Sequence, residues 1–217
     1  MPKMQTATTA NRAANNPLWV FAKAISAVTS PAVLSFVSVY LMGVVINDAR
    51  FWPWALAYAG FGFVLPLLYL IYLMRKGEVS NFHMKERSER IKPMIFILIT
   101  FSSASLVFYF LDAPYVMQVF TYIGALQALI MLAITLKWKI SGHGAGAAAF
   151  ALLLWALFGP AAAPAFLLVP VVLWARRYTD RHDLAQTVLG AVAGFALMGL
   201  ALALIAARCP GAGLACF

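Results

Sequence analysis

Charge is scarce in this chain and almost absent from its long apolar runs. Only 11% of the 217 residues are charged, and just seven are acidic. A transport pathway through a membrane marks itself with ionisable groups inside the spans, and the near absence of such groups argues against a transporter. No carboxylates gather in the way that holds a divalent cation, so neither a metal nor any other cofactor is expected. Alternation of apolar and polar residues is also missing, which rules against a transmembrane β-barrel. Near the N-terminus Lys23 interrupts an already short apolar stretch, so a cleaved leader is not expected. Cysteine is confined to Cys209 and Cys216. These two allow one small disulfide in an oxidising compartment, and two unpaired thiols equally well.

What remains is apolar. Hydrophobic residues make up 64% of the chain, far more than a soluble core of this length holds. A span needs roughly 20 apolar residues, and candidate runs lie near 31–47, 52–74, 93–111, 114–136, 145–159, 162–175 and 184–207. The expected fold is therefore all-α, a polytopic membrane bundle of six to seven helices. Gly159, Pro160 and Pro164 separate the short fifth and sixth runs, so these form a tight helical hairpin. Residues 17–29 carry Lys23 and stop before Pro31, the pattern of an interfacial helix preceding the first span. The domain reading is a flexible polar segment over 1–16, one transmembrane domain over 17–207 and a short tail over 208–217.

Three polar islands interrupt the apolar chain: Lys85 to Pro93, Ile140 to His143, and Arg176 to Gln186. An even number of crossings separates each from the next, so all three fall on one membrane face. That face carries fourteen of the sixteen basic residues, leaving Arg50 and Arg208 opposite. The positive-inside rule then puts the islands in the cytosol, in an inner membrane, with the C-terminus outside. Setting aside Lys85, Lys92 and Arg176 as members of an anion site still leaves eleven against two.

The residue types in the islands suit phosphate binding. Arg176 offers planar paired donors to phosphate oxygens, and a neutral imidazole at His182 can attack phosphorus. Taken alone, basic residues at helix ends are interfacial anchors. Ser141, Gly142 and His143 change the balance, because free backbone N–H groups, a small residue and a hydroxyl at a helix start form an anion cradle. His143 can protonate a leaving oxygen. Gly142, Gly144 and Gly146 also suit close helix packing. Lys85 and Lys92 are seven apart and share a helical face, and Pro93 suits the first turn of the next span. Glu86, Arg87, Glu89 and Arg90 read as a solvated, self-paired face, and His83 as an ordinary loop residue.

Order and spacing together resemble the type 2 phosphatidic acid phosphatase superfamily, whose signature runs K-x6-R-P, P-S-G-H and S-R-x5-H-x3-D. Here the elements read Lys85, six residues, Lys92 and Pro93; Ile140-Ser141-Gly142-His143; and Ala175-Arg176, five residues, His182, three residues, Gln186. The resemblance covers about residues 85–195. It implies His182 as nucleophile, His143 as general acid, and Lys85, Lys92, Ser141, Gly142 and Arg176 as holders of the phosphate oxygens. Gln186 stands where the pattern has aspartate. It accepts a hydrogen bond but brings no charge, and Gln186→Asp is expected to preserve or raise turnover. The implied function is a lipid phosphatase acting on a phosphatidate-like or prenyl phosphate presented by the bilayer, with no nucleic-acid partner. A phosphotransferase on the same scaffold and a non-catalytic lipid-phosphate binder are the alternatives.

Overall fold

A computed structural model of the protein describes residues 16–82, 84 and 86–211. His83, Lys85, Cys216 and nearly all of the polar segment 1–16 lie outside the described residues. Among those described, the chain is helical and contains no strand. We number the helices α1 (Pro17–Val28), α2 (Pro31–Ile46), α3 (Phe51–Arg75), α4 (Arg87–Phe110), α5 (Tyr115–Thr135), α6 (Gly142–Phe158), α7 (Leu168–Tyr178) and α8 (Leu184–Arg208).

Among the described residues, five helical stretches are long and apolar enough to cross a membrane: α3, α4, α5, the continuous stretch Gly142–Tyr178, and α8. A sixth arises if α1 and α2, bent by 49° at their junction, count as one. The stretch Gly142–Tyr178 is not straight. A 3₁₀ segment, Gly159–Leu167, joins α6 to α7, and α7 returns along α6 so that Val172 packs with Ala147 and Leu34. Gly159 opens the reversal with φ of 62°, a conformation that favours glycine. The hairpin expected around Gly159, Pro160 and Pro164 is therefore present, with a 3₁₀ turn at its tip.

Local chemistry sets the helix starts. Pro31 occupies the first turn of α2, and the Ser30 hydroxyl accepts from the Val33 N–H at 3.4 Å. At α8, the Asp183 carboxylate accepts from the Gln186 N–H at 2.8 Å while Gln186 Oε1 accepts from the Asp183 N–H at 3.3 Å, a reciprocal capping box. α4 begins at Arg87, so Pro93 lies inside the helix rather than in its first turn.

Lipid removes the hydrophobic drive between spans, leaving close packing of small residues to bring helices together. The α6–α8 seam shows this. A Cβ on Gly144 would come within 2.6 Å of the Thr187 carbonyl oxygen, while one on Gly190 would strike the Ser141 carbonyl and one on Gly194 the Ala145 carbonyl. Each obstacle is main chain and cannot swing aside, so these positions admit only glycine at this separation. The seam sets the start of α6 beside the start of α8, where the Ser141 N–H donates to the Gln186 carbonyl at 3.2 Å. Most of the buried apolar core, including Met42, Phe51, Phe108, Met117, Leu153 and Ile205, lies toward the other end of the bundle.

Candidate functional site

Two histidines meet at the polar end of the seam. His182 sits in the turn between α7 and α8 and is buried. Its Nδ1 lies 3.0 Å from Gln186 Oε1. That oxygen also takes the Asp183 N–H, so both contacts identify it as the carbonyl end of the amide. A carbonyl only accepts; Nδ1 therefore carries the proton and Nε2 keeps its lone pair. Burial, then the charges of Arg176 and Arg90, push the His182 pKa down to about 3, against a weaker upward pull from Gln186. At neutral pH the ring is uncharged, the state a nucleophile needs.

His143, one residue into α6, lies near the cations Arg176 and Arg90 and near the His182 ring. Its Nε2 lies 3.1 Å from the Ser26 main-chain oxygen of α1. Ser141 is fully buried, and its hydroxyl accepts from the Gly144 N–H at 3.4 Å, capping α6. Gly142 and Gly146 face Pro31 of α2, where an added Cβ would meet only ordinary contact, whereas Gly144 forms part of the tight seam.

The cations divide differently from the sequence expectation. Arg176, in the last turn of α7, is 6% exposed and its Nε has no hydrogen-bond partner. Arg181, Arg90 and Lys139 complete the group: burial, then Arg90, lowers the Lys139 pKa, Glu86 raises it, and Arg181 and Arg176 lower it further. Lys92 does not join them. It pairs with Glu78 at 2.7 Å, holding that carboxyl below its usual range, and the α4 cation felt by both histidines, after Arg176 of α7, is Arg90.

Lys92, expected among the phosphate holders, thus stands apart from the histidines, and the reason is helical. Residues two apart on a helix point about 200° apart, so Lys92 and Arg90 cannot both face inward. The self-paired face expected for residues 86–90 is corrected. Arg90 Nε donates to the Met84 carbonyl at 2.9 Å, Arg87 donates to the Leu136 carbonyl, and Glu89 accepts from the Ser80 N–H at 2.9 Å. Lys85 lies outside the described residues.

The described residues thus bring together His143, His182, Ser141, Gly142, Gln186 and Arg176, and add Arg90, Lys139 and Arg181. Among the described residues the ion pairs are Arg50–Asp48 and Lys92–Glu78, neither in this group. Four cations around two uncharged imidazoles, with a buried guanidinium N–H unsatisfied, favour an anion with several oxygens. No group of three or more metal-ligating side chains occurs among the described residues. At the far end Cys209 is disulfide-bonded, so the alternative of two free thiols does not hold. In comparisons with known proteins, no family model, curated protein or solved structure matches this chain.

Proposed function

We propose that the chain is a membrane-embedded lipid phosphatase that hydrolyses a phosphate monoester or diphosphate through a phosphohistidine on His182. The observation that carries this reading is the convergence of Arg90, Lys139, Arg176 and Arg181 on a histidine whose Nδ1 is held by Gln186. Phosphoryl transfer needs positioning and charge stabilisation on the non-bridging oxygens more than it needs exotic groups. Cations grouped around two buried or partly buried histidines supply both.

The bound phosphate's negative charge lets His143 take a proton from solvent on Nδ1; the His182 Nε2 lone pair then attacks phosphorus as the bond to the lipid oxygen breaks, and His143 delivers that proton to the departing oxygen. Water gives a proton to His143 Nδ1 as it attacks the phosphohistidine, the phosphorus–nitrogen bond breaks, and phosphate leaves. The likeness in motif order to the type 2 phosphatidic acid phosphatase superfamily supports this assignment of roles. The cationic end faces the cytosol in this reading, and the bilayer delivers the substrate with its tail between helices. Gln186 favours one alternative, a lipid-phosphate binder without turnover, because an amide leaves the phosphohistidine step without a counter-charge.

Phosphate release from phosphatidate and from prenyl diphosphates separates these readings. Release that is lost in His182→Ala supports the hydrolase. Headgroup exchange without release supports a phosphotransferase, and binding without turnover supports the binder.

A further inference from the structure

The N-terminal helix and the start of α2 reach the histidine cluster without belonging to any of the three islands. α1 lies against α7, with Phe21 and Trp174 ring centroids 6.4 Å apart and Asn16 Nδ2 donating to the Tyr178 hydroxyl at 3.2 Å. Its last turn closes on itself, the Thr29 hydroxyl donating to the Ile25 carbonyl at 2.6 Å. Pro31, just after the bend, seats on Gly142 and Gly146. The end of α1 is thereby fixed against the start of α6.

Ser26 sits in that last turn and is 9% exposed. Its main-chain oxygen meets His143 Nε2 at 3.1 Å, and its hydroxyl has no partner. A helical serine ordinarily satisfies its hydroxyl on the carbonyl one turn back, as Thr29 does here. A buried hydroxyl that forgoes this bond, on a residue that touches His143, and a buried Arg176 Nε near the same histidine that also lacks a partner, mark polar capacity reserved for something outside the chain.

We infer that Ser26 belongs to the site: its main-chain carbonyl fixes the tautomer of His143, and its hydroxyl serves an oxyanion held beside the two histidines. The second clause rests on the pocket being a phosphate site; the first rests on geometry alone. The carbonyl has no proton to give, so Nε2 carries the hydrogen and Nδ1 is the nitrogen left to exchange a proton with a ligand. The two histidines are then held in opposite tautomers, His182 by a side-chain oxygen and His143 by a main-chain one. Ser26 is a positioning residue toward His143 and a ligand contact through its hydroxyl.

The test uses the full chain in lipid nanodiscs with ¹⁵N-labelled histidine at neutral pH, the His143 signals being those lost in His143→Gln. The expected spectrum shows His143 protonated on Nε2 and His182 protonated on Nδ1; His143 protonated on Nδ1 would overturn the positioning role. Inorganic phosphate titration reads the hydroxyl separately. Ser26→Ala is expected to weaken binding about five- to tenfold and Ser26→Thr to restore it, with the tautomer unchanged in both because the carbonyl remains. Equal phosphate affinity in Ser26→Ala and wild type would overturn the contact. If wild type binds no phosphate at all, the pocket reading and the hydroxyl contact fail together, while the tautomer result stands or falls on its own spectrum.

Discussion

The second and third polar islands meet through main chain, whereas the first reaches them through side chains. At the α6–α8 seam, Gly144, Gly190 and Gly194 let backbones touch, and the Ser141 N–H bonds directly to the Gln186 carbonyl. On α4 the contribution is a single long side chain, Arg90, steadied by the Met84 carbonyl. The first arrangement is rigid and admits few substitutions. The second depends on how α4 is rotated about its axis, which packing decides: the Phe101 ring fills the space left by Gly62 of α3 and Gly124 of α5.

The comparison can be broken in order of expected effect. Gly194→Val drives a branched side chain into the Ala145 carbonyl and is expected to cost more than about 3 kcal/mol, read by thermal unfolding in detergent. An unchanged melting temperature would mean that the seam is not rigid. Next, Arg90→Ala should lower phosphate release about 10²-fold while Lys92→Ala stays within about threefold, since Lys92 sits in an exposed pair. The reverse ranking would return Lys92 to the site.

Gln186→Leu removes the acceptor from His182 and is expected to cost about 10- to 100-fold in turnover. Gln186→Glu keeps the reach to His182 and Asp183, adds charge, and should match or exceed wild type; a loss as large as that of Gln186→Leu would show that the amide nitrogen matters. Stability against pH responds gradually rather than at one substitution. The folded His182 pKa lies near 3, below its ordinary 6.5. The unfolded chain therefore takes up a proton first as pH falls. The stability from neutral His182 is complete above about 6.5 and is lost progressively as pH drops toward 3. A denaturation midpoint flat across that window in wild type, or equally sloped in His182→Phe, would contradict it.

Much of the pocket was legible because it is built from short-range patterns. Ser141 and His143 share a helix start, Arg176 and His182 flank one turn, and Gln186 follows His182 by four residues, so spacing alone nearly fixes their neighbourhood. Gly159, Pro160 and Pro164 announced the reversal between α6 and α7 for the same reason. The choice of Arg90 over Lys92 was not legible, because both are basic and only tertiary packing sets the rotation of α4. Arg181 and Lys139 carry no pattern that sets them apart from the other basic residues of the same face, and only the folded chain groups them with Arg176 and Arg90. Ser26 was hidden more deeply, since a main-chain carbonyl belongs to every residue and leaves no signature in sequence.

The most direct test of the central claim is a rapid-quench reaction of the purified protein in mixed micelles with ³²P-labelled phosphatidate or prenyl diphosphate. The account expects transient, acid-labile and base-stable label on His182, with phosphate release lost in His182→Ala. Release at the wild-type rate from His182→Ala, with no label on the protein, would contradict it.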